Sequence, residues 1–310
     1  MVADTFLVIG AGSIGQRHAR NLAALGQKAD LIPYRAFDAA TVAQRRDVAG
    51  VIIATATPIR LSLITLCAAQ GWPFYVEKPL GWTQSQIAEI YAAAGPIGDR
   101  SMVGFMMRYH PALRALAQLD LSDIYSFAFE IGHDVRQWRA NWSFAQSYAS
   151  DPAGGGVLLD LCHELDIAHC LFPNAKVTRA TSLDHPDFAG VDFATRISLA
   201  APLGSVAMDY LSPVSLRRGQ LRGTRQVIDL DLLAPAFTRN DGTGQKTTTF
   251  DFDRNDMFLG AMGDFIALAT GHPPSDNPLI PRFSDVRASC DLIAQAWEAR
   301  QFAGQVALAF

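Results

Sequence analysis

The chain has 310 residues, is 49% apolar and carries a formal net charge of −4 at pH 7. That length suits about two domains, each with its own core. The charge balance offers no basic face to nucleic acid, no apolar run is long enough to span a bilayer, and the four cysteines (Cys67, Cys162, Cys170 and Cys290) form no C-x-x-C pair, which suits reduced thiols and the cytoplasm.

An apolar run, Phe6 to Ile9, starts almost at once and is expected to leave no room for a signal peptide. It enters the glycine cluster Gly10-Ala11-Gly12-Ser13-Ile14-Gly15, and a helical pattern with Leu22 and Leu25 follows. This is G-x-G-x-x-G between a strand and a helix. In that context Gly10 permits the tight turn, Gly12 lets a pyrophosphate approach the backbone and Gly15 lets the helix pack on the strand. The phosphates would rest on free amides at the helix N-terminus. A plain strand-helix turn is the simpler reading.

The second apolar run ends in Tyr34-Arg35, where many NAD sites carry an acidic residue. An arginine there can pair with a 2′-phosphate, so the cofactor is read as NAD or NADP with NADP slightly favoured. A solvated arginine is the plain alternative, and Asp38 could still reach the ribose. Val51 to Ala54 is a third strand. Thr55-Ala56-Thr57-Pro58 follows, with Thr57 expected to cap a helix to about Gln70 and Pro58 in its first position. In a parallel sheet Thr55 and Thr57 would line the cofactor cleft. Phe74 to Val76 ends in Glu77-Lys78-Pro79, Thr83 caps another helix, and Met102 to Phe105 is a fifth strand. Strands alternating with helices predict an α/β Rossmann domain, a doubly wound parallel sheet. Lys78 could hold a substrate hydroxyl and stabilise its developing oxyanion, with Glu77 setting its position or touching the nicotinamide ribose. A surface ion pair reads equally well from composition.

Pro111 opens a short connecting helix to about Leu119, and Ile124 to Ile131 is a strand. The domains are placed at 1–119 and 120–310, with the last helix allowed to pack back on the first. A polar, aromatic loop then offers Arg136 and Arg139 to a carboxylate or phosphate, and Trp138 and Trp142 to a sugar face. A loop pinned by its two tryptophans is the rival reading.

Gly154-Gly155-Gly156 leads into Val157-Leu158-Leu159-Asp160-Leu161-Cys162-His163-Glu164-Leu165-Asp166. At about 100° per residue, one helix would gather Leu158, Leu161, Cys162, Leu165, Ala168 and Phe172 in an apolar stripe containing His169. Asp160 and His163 would lie opposite, about 60° apart, with His163 exposed. Three-residue steps fan Asp160, His163, Asp166 and His169 too widely for a metal, and none is expected.

Beyond Lys176, runs at 177–183, 193–199, 205–210, 215–221 and 226–230 read as sequential strands of an open, mainly antiparallel sheet in an α+β domain. Helical patterns close the chain at about 255–269 and 284–301. The first has Met257, Phe258, Met262 and Phe265 on its apolar side.

The glycine loop, Thr57-Pro58, Glu77-Lys78-Pro79, the segment Met102 to Pro111 and the Gly154–Asp166 helix occur in an order that resembles the glucose-fructose oxidoreductase / inositol 2-dehydrogenase / MocA (Gfo/Idh/MocA) family. The resemblance covers nearly the whole chain. Arg60 departs from the family's usual histidine, and Ala56 from a common proline. The resemblance implies hydride transfer between NAD(P) and a secondary alcohol or ketone of a sugar, sugar acid, cyclitol or nucleotide sugar. His163 would be the general base and Lys78 would hold the same oxygen. Asp160 stands three residues before His163 where the commoner pattern has four, which leaves its catalytic role in doubt. Arg108 falls in the family's segment leaving the first domain and is carried over as substrate-binding. The partners implied are a small carbohydrate and further copies of the chain, as homodimer or homotetramer through the C-terminal sheet, with neither nucleic acid nor membrane. An NAD-dependent glycosidase and a non-catalytic NAD(P)-sensing regulator are the alternative functions on the same fold.

Overall fold

The computed structural model describes residues 3–137 and 143–307. Trp138, Arg139 and Trp142 lie outside the described residues. The chain opens with strand β1 (Thr5–Ile9), whose residues are all buried. A continuous apolar run of this kind marks a strand covered on both faces. Helix α1 (Ser13–Ala24), β2 (Lys28–Ile32), α2 (Ala39–Val42), β3 (Val48–Ile53), α3 (Arg60–Gln70), β4 (Phe74–Val76), α4 (Gln84–Ala94) and β5 (Met102–Val103) follow in strict alternation. Thr83 and Gln86 close a reciprocal capping box on α4. Thr57, by contrast, caps nothing with its side chain: a 3-10 turn, Thr57–Ile59, precedes α3, and Pro58 sits in that turn.

Next come α5 (Pro111–Leu116), β6 (Ile124–Gly132), α6 (Val157–Asp160), α7 (His163–Leu171), β7 (Lys176–Asp184), β8 (Ala194–Ala200), β9 (Leu203–Asp209), β10 (Leu216–Gly223), β11 (Val227–Asp231), β12 (Ala236–Asn240), β13 (Gln245–Thr249), α8 (Arg254–Thr270), α9 (Arg287–Glu298) and β14 (Arg300–Gln305). The chain divides into two compact units. One holds residues up to Tyr109 with Asp253–Cys290, the other His110–Phe252 with the remainder. Among the described residues no helix is long and apolar enough to cross a membrane.

The first unit carries a five-stranded, wholly parallel sheet in the order β2-β1-β3-β4-β5. The chain leaves β1 for β2 on one side and returns to β3 on the other. That reversal is the topological switch point at which open α/β sheets bind ligands, outside the carboxyl ends of the strands. Ile9 lies opposite both Ile32 and Ile53, and Ile53 lies opposite Val76. Gly10, Pro33, Ala54 and Glu77 therefore leave the sheet in one row. Helix α8 belongs to this unit: its Phe265 packs edge-on against Phe6 and Tyr75, and Met257, Phe258 and Met262 are buried with it.

The second unit carries a nine-stranded sheet in the order β13-β12-β11-β10-β6-β9-β8-β7-β14. It is mainly antiparallel, but β6 runs parallel to β9 and β14 parallel to β7. On β6, Phe127, Phe129 and Ile131 alternate with half-buried residues, and Phe172, just beyond α7, stacks on Phe127 at 4.6 Å. The final helical pattern overruns: residues 300–305 pair with β7 instead, where Gly304 disfavours helix and an edge offers hydrogen bonds.

The Gly154–Asp166 segment also departs from expectation. It is two helices, because Leu161 leaves helical geometry at φ −105°, ψ 25°. The apolar stripe survives, with Leu158, Cys162, Leu165 and Ala168 fully buried. The polar phase does not carry across the break. His163 is 5% exposed and buried, whereas His169 is half-buried, the reverse of the single-helix reading.

Candidate functional site

At the β1–α1 turn the three motif glycines meet different constraints. Gly10 has φ +110°, and a Cβ there would run into the carbonyl of Ala54. A Cβ on Gly15 would run into the carbonyl of Gly10. Both are demanded by the protein's own backbone. Gly12 has φ −69° as the N-cap of α1, supplies no capping side chain, and has nothing within 4 Å of where its Cβ would stand. Its bareness serves no internal packing. It leaves an open approach to the first amides of α1, beside exposed Ser13 and half-buried Ile14, and this fits a dinucleotide pyrophosphate.

Beyond β2, Tyr34 and Arg35 lie exposed on a 3-10 turn, with the Tyr34 ring stacked on Phe37 at 6.0 Å. Asp38 caps α2 through one oxygen: its Oδ2 accepts from the Thr41 amide at 2.9 Å and from the Thr41 hydroxyl, which holds its pKa below the usual carboxylate range.

Thr55 and Thr57 follow β3, both half-buried. Arg60 is buried and donates from Nη2 to the carbonyls of Thr55 (3.0 Å) and Lys78 (3.3 Å), tying the turn after β3 to the turn after β4. Glu77 is 8% exposed, and its Oε1 lies 2.7 Å from Nε2 of His18, a residue of α1 that is fully buried. Burial alone would raise the Glu77 pKa, but the His18 hydrogen bond and the nearby charges of Lys78 and Arg60 bring it below its ordinary value. Lys78 is half-buried. The row therefore places the open backbone of the glycine turn, a buried acid and a lysine at one edge of one sheet.

Arg108 lies in the same unit. It is buried, donates to Ser289 Oγ at 3.0 Å and stands over the Phe105 ring at 5.6 Å.

The second unit collects its polar residues at one end of its sheet. Phe127, Phe129 and Ile131 give way to His133 at the same alternate position, and Val206 and Met208 on β9 give way to Tyr210. On antiparallel β10, Arg217 sits opposite Ile131. Asp160, at the end of α6, accepts from Tyr148 Oη at 2.8 Å and Tyr210 Oη at 3.0 Å. Two phenol donors fix the carboxylate as an acceptor. Glu164 is buried and accepts from Arg217 Nε at 2.6 Å, beside His163 in sequence. Burial depresses the His133 pKa more than the Asp160 and Asp209 carboxylates raise it. Arg136 is held bidentately by Asp134, with Nε–Oδ1 at 2.9 Å and Nη2–Oδ2 at 2.7 Å.

Of the residue set read from the sequence, the first unit holds Gly10 to Gly15, Tyr34, Arg35, Thr55, Thr57, Glu77, Lys78 and Arg108, and the second holds Arg136, Asp160 and His163. Sequence reading passed over His18, Glu164, Arg217 and the two tyrosines on Asp160. A histidine at the i+3 step from Gly15, inside a buried helical stripe, was the available signal for His18.

No family model matches the chain. The inositol 2-dehydrogenase of Acidothermus cellulolyticus is 30% identical over 185 residues, covering 53% of this chain and 52% of that protein. The chain thus spans about half the length of the curated relatives it matches. Among solved structures, a levoglucosan dehydrogenase in complex with NADH and levoglucosan superposes with TM-score 0.77 at 18% identity, covering 96% of this chain and 97% of the other. A 3-ketoreductase from Actinomadura kijaniata, in complex with TDP-benzene and NADP, gives 0.73 at 17% identity over 97% and 98%. These relatives and this fold bear out the resemblance of the chain to the Gfo/Idh/MocA-type oxidoreductases.

Proposed function

We propose that the protein is an NAD(P)-dependent oxidoreductase acting on a CH–OH group, or the matching ketone, of a sugar, sugar acid, cyclitol or nucleotide sugar. The observation that carries this is the single row at the switch point, where Gly10, two residues before the unobstructed Gly12, leaves the sheet level with buried Glu77 and the Lys78 that follows it. The named activities of the relatives, all dehydrogenases or reductases, support it.

When bound, the nicotinamide supplies the hydride acceptor or donor. The chain's own residues do the rest. The amides after Gly12 hold the pyrophosphate, with Ser13 and Ile14 at its flank, and Thr55 and Thr57 border the same edge. Arg35 would pair with a 2′-phosphate, with exposed Tyr34 beside it, and on this arginine NADP is slightly favoured over NAD. The Lys78 ammonium holds the reacting oxygen and stabilises its negative charge. His163 takes the hydroxyl proton in oxidation and returns it in reduction. Asp160, held by its two tyrosines, accepts hydrogen bonds from substrate hydroxyls, and Arg136 and Arg108 are the cationic contacts proposed for the substrate. Four cysteines with no C-x-x-C pair fit the cytoplasm. Exposed Tyr125 and Leu203 on β6 and β9 support self-association through the sheet, which light scattering checks.

The test is a panel of cyclitols, aldoses, sugar acids and nucleotide sugars assayed with each dinucleotide. Lys78→Ala and His163→Ala should each lower turnover by about a hundredfold or more while leaving dinucleotide affinity within about threefold. Full activity in both variants would refute the assignment. Glycoside cleavage without net change in the dinucleotide would move the protein to the glycosidase reading.

A further inference from the structure

Helix α1 turns Gly15, His18, Asn21 and Leu22 toward the interior of the first unit. His18 is the anomaly in that stripe. Its ring lies edge-on to Tyr75 at 5.1 Å and to Phe258 at 6.3 Å, surroundings that a phenylalanine would suit better. Its Nε2 reaches Glu77 Oε1 at 2.7 Å, and its Nδ1 has no hydrogen-bond partner. A carboxylate can only accept, so the proton of that contact belongs to His18 Nε2. Burying such a pair costs desolvation that an apolar pair would avoid. What the pair gains is geometry. α1 begins at the amides after Gly12, and Glu77 is joined by a peptide bond to Lys78. The contact therefore braces the phosphate cradle against the lysine turn across 59 residues of sequence. The close packing of Glu77 on Gly104, where a Cβ would stand 3.0 Å from Oε2, limits the carboxylate from its other side.

We propose that His18 is a positioning residue, which acts through Glu77 to hold Lys78 in register with a dinucleotide seated on α1. The proposal rests on the oxidoreductase reading.

Two measurements on the full chain test it. In the free protein, ¹⁵N-labelled imidazole signals should show His18 as the Nε2–H tautomer, whether or not a substrate is in hand; an Nδ1–H tautomer overturns the proposal. With the best substrate of the panel, His18→Phe keeps a ring but no donor. It should lower kcat by about tenfold to a hundredfold, with NADPH and NADH dissociation constants within about threefold of the parent. His18→Gln, whose amide restores a donor, should recover most of that loss, and adding His18→Phe to Glu77→Gln should cost nothing more. Parental kcat in His18→Phe overturns the positioning role and leaves the oxidoreductase reading standing, as does a His18→Gln variant as impaired as the phenylalanine. If His18→Phe does not fold, His18→Gln and the tautomer decide. A parent protein that binds neither dinucleotide overturns both readings together.

Discussion

Gly12 and Gly15 stand three residues apart and answer to different partners, so substitution separates cofactor binding from folding. Gly12→Ala meets no protein atom within 4 Å and has an ordinary φ. Its stability should change by less than about 1 kcal/mol, while its methyl group narrows the approach of the pyrophosphate and dinucleotide affinity falls by about tenfold or more. Gly15→Ala drives a methyl into the Gly10 carbonyl. It should lose about 3 kcal/mol or more of stability. Denaturant melts with parallel dinucleotide titrations read both; equal effects at the two positions would contradict the division. His110 gives a residue-scale pH dependence. Burial and the Arg217 charge push its pKa from 6.5 down to about 4. The unfolded chain therefore binds this proton first as pH falls. Stability from this group is whole above about pH 6.5 and declines toward about pH 4, with a ceiling of about 3 kcal/mol. His110→Asn should flatten urea stability over that window, and an unchanged slope would count against the buried neutral imidazole.

At the scale of elements, the same physics decides which parts were legible. The glycine loop, the Glu77-Lys78-Pro79 turn and the Thr83–Gln86 capping box could be read because each is local: an apolar run, a turn residue and a cap within a few positions. The break at Leu161 could not. The apolar spacing is the same for one helix or two, and only the dihedral at Leu161 resets the polar phase that governs His163 and His169. Strand neighbours were likewise hidden, since β6 sits between β9 and β10 and its partners arise far along the chain. The β12–β13 hairpin was legible in Asn240-Asp241-Gly242 but was passed over because its strands are polar and exposed. Arg217 on β10 and Glu164 on α7 make the element-scale prediction. Arg217→Met leaves a buried carboxylate without its cation and should cost about 3 kcal/mol, most of it regained in the double variant with Glu164→Gln. Additive losses in that cycle, read from urea midpoints, would show that the pair does not hold α7 to the sheet.

For the whole molecule, the parallel five-stranded sheet and the mixed nine-stranded sheet divide the chemistry. The first carries the groups suited to a dinucleotide and a lysine. The second carries a tyrosine-held aspartate, a buried histidine and an arginine–glutamate pair. The composition and strand-helix alternation revealed that division, while the contacts that rigidify each part, His18–Glu77 across 59 residues and Glu164–Arg217 across 53, are products of folding that no local pattern announces. The most direct test of the account is a titration of the full chain with NADH and with NADPH, read by energy transfer from its tryptophans to the reduced nicotinamide. Saturable binding of at least one is expected, tighter for NADPH and weakened by Arg35→Ala. Failure of the folded protein to bind either would contradict the reading of the glycine row and the function built upon it.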